Sequence, residues 1–192
     1  MKKFLAISLI FLSTISSINA EEIKRIFVGN EDAKITIIAF ESLTCSYCAN
    51  FHKDVFPELK KEYLDTGLAK IEFRHFPLDA AAFNASKVSQ CKNDGDSAIL
   101  NSLYANQQKW VKGSSVKEAN ENLQKFLTSE GFDINFEECI NNQEIEDFVL
   151  NDRIDGAKNF KVNSTPTIVI NNKKFEKTLT YKNLKKALEK LI

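Results

Sequence analysis

The sequence predicts an α/β fold interrupted by an all-helical insert. Three observations carry that reading. An apolar, β-branched run, Ile35 to Phe40, leads into a helical stretch and then into an alternating run, Lys70 to Phe76. A long middle region, 79–157, has helical periodicity and few strand-like runs. A β-branched run, Thr167 to Ile170, then returns before a Lys-rich terminal helix.

The first twenty residues stand apart. Lys2 and Lys3 form a charged head, Phe4 to Ile18 an apolar run, and Asn19-Ala20 a small-residue site before Glu21-Glu22. The apolar run contains Ser and Thr and falls short of the roughly 18 to 20 residues that span a bilayer. Residues 1–20 are therefore expected to be a cleaved export signal, with removal after Ala20. The whole chain of 192 residues carries 26 Lys and Arg against 26 Asp and Glu. That balance gives no field to attract nucleic acid or an anionic membrane surface.

Each element has its own local cause. Ile35 to Phe40 reads as a strand buried on both faces. Thr44 is placed to cap a helix starting at Cys45, whose apolar positions Phe51, Val55, Phe56, Leu59 and Tyr63 recur at steps of three and four. Pro57 is expected to kink this helix and Gly67 to end it. Ile71 and Phe73 alternate against Glu72 and Arg74 as in a half-buried strand, so that a right-handed crossover joins two parallel strands. In the insert, Leu100, Leu103, Tyr104 and Trp110 make one buried face and Leu123, Phe126 and Leu127 another. Asn171-Asn172 suits a two-residue hairpin turn before Lys173 to Glu176. Tyr181 to Ile192 closes the chain with Leu184, Leu188 and Leu191 inward. The chain thus divides into a leader, 1–20, a first α/β part, 21–78, the helical insert, 79–157, and a second α/β part, 158–192.

The chemistry concentrates where the first main strand meets the first helix. Cys45 falls at the helix start, where unpaired N–H groups and the helix dipole favour a thiolate. Cys48, one turn later on the same face, is within reach of a disulfide and is expected to be the less exposed partner. Such a pair exchanges disulfides through a mixed disulfide at the exposed sulfur. Haem attachment would require His where Ala49 stands, and zinc would require four ligands where His52 offers only a third. No metal and no cofactor are called for. Cys91 and Cys139 lie in the insert; an oxidising compartment favours a structural bridge between them, with redox tuning at a distance or two inert thiols as alternatives. Pro166, in Ser164-Thr165-Pro166-Thr167, opens the last main strand, a position that suits a residue without an N–H donor. His52 and His75 are expected at the surface or in packing, and Phe51, Phe56 and Phe83 in the core.

Taken together, Gly29 to Thr36, Leu43 to Cys48, Arg74-His75-Phe76-Pro77-Leu78, Leu103 to Trp110 and Val162 to Ile170 resemble the DsbA family, in the group with a helical domain inserted into a thioredoxin-like fold. The resemblance implies that Cys45 is the nucleophile, Cys48 the resolving cysteine, and Thr165-Pro166 a cis-proline pair beside them. It also implies a periplasmic protein:disulfide oxidoreductase that acts on reduced exported proteins and is reoxidised by a DsbB-like membrane partner.

Two positions depart from the pattern. Strongly oxidising relatives carry His before the second cysteine; here Tyr47 follows Ser46, and a neutral phenol is expected to leave the Cys45 thiol less depressed and the pair a milder oxidant. Relatives tend to have an acid where Ala39 stands. Glu41, two residues on, either faces the same side and partly replaces it or is exposed at the strand end. A Cys-x-Tyr-Cys centre with Thr before the proline also resembles disulfide isomerases, which dimerise through an extra N-terminal domain. Too few residues precede the first main strand for such a domain. A monomeric oxidase is the favoured reading, an isomerase or reductase the second, and a non-catalytic peptide-binding protein the third.

Overall fold

A computed structural model describes residues 22–192. The expected leader, 1–20, lies outside the described residues. Five strands form one mixed sheet in the order β1-β3-β2-β4-β5, with β1 Phe27–Gly29, β2 Ile35–Glu41, β3 Ala69–His75, β4 Thr167–Ile170 and β5 Lys173–Lys174. Only β2 and β3 are parallel; the other neighbours are antiparallel. β2 is central, and its alternate residues feed two cores. Ile35, Ile37 and Ala39 join the larger core, while Ile38 and Phe40 meet Phe76, Val162 and Val169 on the other face. That two-sided burial is why the strand reads as continuous apolar sequence.

The stretch expected as one kinked helix is three pieces: α1 Ser46–Asp54, α2 Phe56–Leu59, and a π-helical turn at Lys60–Leu64. The break sits at Val55, with φ −120° and ψ −46°, two residues before Pro57, which brings no N–H to the Lys53 carbonyl and whose ring crowds it. The chain then turns at Gly67, with φ 75°. β1 has no counterpart in the sequence reading, since three edge residues carry too little pattern. Gly29 is required there: its φ is 111° and a Cβ would lie 2.5 Å from the Ala69 carbonyl oxygen.

Six helices fill the space between β3 and β4: α3 Ala80–Gln90, α4 Ala98–Ala105, α5 Gln107–Trp110, α6 Val116–Ser129, α7 Phe136–Asn141 and α8 Gln143–Asn159. Side-chain caps start four of them, from Asp79, Ser115, Asn135 and Asn142. The division expected after 157 falls inside α8, which runs on to Asn159 with no breaker to stop it. Leu100, Leu103, Tyr104, Trp110, Leu123, Phe126 and Leu127 are buried in the same large core as Phe51, Phe56 and Ile37, whereas Phe83 is only half-buried. The sulfurs of Cys91 and Cys139 are at bonding distance, with Cα atoms 5.4 Å apart, tying the end of α3 to α7.

Asn171 and Asn172 take φ 45° and 65° in the β4–β5 turn, and the Asn171 side chain accepts from Thr36 N–H at 2.8 Å. The last helix, α9 Tyr181–Leu188, stops earlier than expected; Leu184 and Leu188 are buried but Leu191 is 46% exposed. Among the described residues no helix is long and apolar enough to cross a membrane.

Two stability predictions follow from this packing. α8 crosses the sheet at Gly156, where a Cβ would lie 2.8 Å from Phe40 Cε1, and the Phe40 ring is fully buried. Gly156→Ala should therefore lower the urea midpoint, destabilising by about 1–3 kcal/mol through overpacking. Replacing Cys91 and Cys139 together by Ala opens a loop with a sequence separation of 48 and should cost up to about 4 kcal/mol, read by the same unfolding curves.

Candidate active site

The carboxyl end of β2 passes into a short loop and then α1, and this loop is held from three sides. Cys45 N–H donates to the Ser42 carbonyl at 3.0 Å, while Ser42 Oγ accepts from Leu78 N–H at 3.2 Å. Thr44 was expected to cap α1, but its hydroxyl donates to Asp79 Oδ2 at 2.6 Å. The N-cap residue is Cys45 itself, with no side-chain cap bond. Thr44 thus joins the loop to the cap of α3, since the other Asp79 oxygen accepts from Ala82 N–H. From α5, the Gln107 amide donates to the carbonyls of Leu43 at 2.8 Å and Cys45 at 3.1 Å. Sequence reading did not single out Gln107, because a glutamine on a short helix carries no signal until the insert folds over the loop.

Cys45 and Cys48 are free thiols in opposite surroundings. Cys45 is half-buried, and its thiol is lowered to about 5. The largest cause is a hydrogen bond from the Cys48 thiol; the Thr165 side chain and the N–H groups of Cys48 and Tyr47 add to it against the opposing effect of burial. Cys48 is fully buried, and burial, the bond to Cys45 and the nearby Glu41 together push its thiol far up. Cys45 was expected to be less depressed than in relatives with His at the Tyr47 position; its thiol lies well below the ordinary cysteine range all the same. The Tyr47 side chain is 72% exposed and gives nothing but its backbone, so the depression comes from the turn that carries both sulfurs.

Thr165 and Pro166 come to this site from the start of β4. The peptide bond between them is cis, and the Thr165 carbonyl oxygen lies 3.4 Å from Cys45 Sγ, accepting from the thiol when it is protonated. Beside them runs an open groove of about 460 Å³ lined by Tyr47, Phe51, Val55, Pro166 and Leu179. Ser46, exposed at the start of α1, lines a second cavity on the opposite side, toward α4.

Glu41 is 4% exposed and faces the cysteines, resolving the two orientations the sequence left open. Its Oε2 lies 2.8 Å from His52 Nε2, and both side chains are buried. His52, expected at the surface or in packing, is a packing residue: it stacks on Tyr104 with centroids 4.1 Å apart, and what the sequence did not show is its polar partner Glu41. His75 is buried as well, at the end of β3, and burial lowers it to about 4. Among the described residues no cluster of His, Cys, Asp or Glu could hold a metal ion.

A family model described as thioredoxin matches residues 21–190. The chain belongs to the thioredoxin family. Its relatives divide by name along one chemistry. A Rickettsia prowazekii protein named for protein-disulfide oxidoreductase activity is 27% identical over 169 residues, 86% of this chain and 60% of the relative. The disulfide bond formation protein D of Bacillus subtilis is 26% identical over 174 residues, 85% of this chain and 75% of the relative. This chain therefore spans about three fifths of the length of the Rickettsia prowazekii relative. Among solved structures, alpha-DsbA1 of Wolbachia pipientis superposes with a TM-score of 0.77 at 27% identity, covering 87% of this chain and 90% of that one. Oxidised BdbD of Bacillus subtilis gives 0.67 at 26% identity, covering 86% and 91%. The thioredoxin-like fold with its helical insert is thus of the DsbA type.

The depressed Cys45 thiol sets a pH dependence. In the reduced protein the folded state holds a thiolate above about 5, while the unfolded chain keeps its proton up to about 9. The unfolded state binds more protons across that window, so the stability of the reduced form should rise with pH from about 5 toward 9 and be lost as pH falls through 5. The oxidised form, which has no Cys45 thiol, should show no such gain. Unfolding midpoints of both forms against pH, beside the thiolate absorbance of Cys45, check this; a thiolate midpoint near 9 would contradict it.

Proposed function

We propose that this thioredoxin-family chain is a protein thiol-disulfide oxidoreductase that introduces disulfides into exported proteins through Cys45 and Cys48. The observation that carries the reading is the asymmetry of the pair: Cys45 is accessible and lowered to about 5, Cys48 is buried and pushed far up, and the Thr165-Pro166 cis bond adjoins the accessible sulfur. A substrate thiolate attacks Cys45 Sγ of the oxidised pair, Cys48 leaves, and a mixed disulfide forms on Cys45. A second substrate thiol then attacks the substrate sulfur of that bond, giving a substrate disulfide and the reduced pair. Because the Cys45 thiolate is stabilised, reduction of the pair is favoured, which is the direction an oxidant needs.

The peptide backbone of the substrate has a natural seat. An extended segment can pair with the backbone at Thr165 as an added strand, with its side chains over the groove lined by Phe51, Pro166 and Leu179. The charged head, apolar run and Ala20 support export and cleavage, hence a periplasmic setting in which disulfides persist. A membrane partner of DsbB type would return the pair to its oxidised state, and the protein would act as a monomer.

The decisive measurement is oxidative refolding of a reduced, cysteine-containing protein with the wild type and with Cys45→Ser. Loss of all acceleration in Cys45→Ser is expected; equal rates would remove the enzymatic reading in favour of a peptide-binding protein. Cys48→Ser should accumulate the mixed disulfide on Cys45, visible by mass. Faster recovery of a scrambled substrate than of a reduced one would replace oxidase by isomerase.

A further inference from the structure

Three donors meet at the carbonyl oxygen of Cys45. Cys48 N–H lies at 3.1 Å and Ala49 N–H at 3.2 Å, the first bonds of α1, and the Gln107 side-chain amide at 3.1 Å. The two helix N–H groups already match the two lone pairs of the carbonyl, so the helix start does not need the third donor. The other hydrogen of the same amide goes to the Leu43 carbonyl at 2.8 Å, and Gln107 thus spans the loop on both sides of Thr44. The base of this side chain is fixed. Gln107 opens α5, its own carbonyl accepts from Val111 N–H at 2.9 Å, and Trp110 at the other end of the helix is buried with Nε1 donating to the Leu103 carbonyl at 2.9 Å.

We propose that Gln107 is a positioning residue for thiol-disulfide exchange, through which the helical insert sets the strength of the Cys45–Cys48 pair as an oxidant. The inference deepens the proposed function and rests on exchange at Cys45. The link is the N–H of Cys48, which faces two acceptors, the carbonyl and the sulfur of Cys45. A donor shared in this way leans toward the acceptor that is less satisfied. With Gln107 on the carbonyl, more of the N–H is left to the sulfur. The same amide also fixes the plane of the peptide that follows Cys45, so the first turn of α1 resists rocking away from that sulfur.

The effect differs between the two redox states. In the reduced pair Cys45 carries a negative charge and draws on the N–H groups of Tyr47 and Cys48. In the disulfide its sulfur is neutral and a weak acceptor. Gln107 therefore stabilises the reduced form more than the oxidised one. In exchange with glutathione, two glutathione thiols reduce the protein disulfide. The products are one glutathione disulfide and a reduced pair in which Cys48 holds a proton, Cys45 is a thiolate, and one proton goes to solvent. Favouring the Cys45 thiolate draws this equilibrium toward reduction of the pair, so the donor on α5 makes the protein the stronger oxidant.

The test compares the wild type with Gln107→Met, which keeps the length of the side chain and removes both donors, and with Gln107→Glu, which puts a carboxylate in their place. In Gln107→Met the thiolate absorbance midpoint of Cys45 should rise by about half to one pH unit, the scale of one lost hydrogen bond, and the glutathione equilibrium at neutral pH should move by about three- to tenfold toward the disulfide. Gln107→Glu should shift both further in the same direction. Unfolding curves separate tuning from support: the reduced form should lose more stability than the oxidised form, by the factor seen in the equilibrium, whereas a merely structural bond would weaken both forms alike. Equal losses, or a wild-type midpoint and equilibrium in the folded variants, overturn the proposal. Should Gln107→Met fail to fold, Gln107→Ala, which shortens the side chain on the cavity beside α4, takes its place in the same comparison. No protein substrate enters these measurements, so failure to refold one would remove the proposed function and leave this result standing.

Discussion

Cys45 and Cys48 share one helical turn, and the fold depends on holding that turn with one sulfur half-exposed and the other in the core. The two thiols have the same chemistry in isolation. They separate because α1 begins at Cys45, so its sulfur accepts from backbone N–H groups, while Cys48 points back toward β2 and loses solvent altogether. Each then reinforces the other: the thiol that cannot ionise donates a hydrogen bond to the one that does. A rotation of α1 by even a fraction of a turn would abolish the difference.

What prevents that rotation comes from both parts of the chain. Ser42 anchors the loop to the strand end, Thr44 to the cap of α3, and Gln107 to α5, so the helical insert grips the active loop directly. On its buried side α1 sends Phe51 and His52 into a ring cluster with Phe56, Phe73 and Tyr104, residues of α2, β3 and α4. The insert is therefore part of the site and not a decoration on it. The same large core contains residues of the sheet, of α1 and of the insert.

The position of Thr165 follows from sheet order. β4 lies beside β2, antiparallel, with Phe40 opposite Thr167. That register carries the residues just before β4 past the carboxyl end of β2, which is where Cys45 sits. Sequence distance between Cys45 and Thr165 is large, and the sheet erases it.

Much of the scaffold was legible in the chain. Long, strongly patterned segments such as Ile35 to Phe40, the alternation in β3 and the Asn171-Asn172 turn report their structure locally, and so does a cysteine pair at one helical turn. The sequence by itself placed two thiols one helical turn apart at a helix start, the spacing that disulfide exchange needs. Tertiary structure decided how that pair is tuned. Glu41 could face in or out, His52 read as a packing residue, and Gln107 carried no pattern, because burial and hydrogen-bond partners depend on residues distant in sequence. The depression of the Cys45 thiol likewise depends on the orientation of one turn and the burial of its neighbour, which no single residue type, Tyr47 included, encodes.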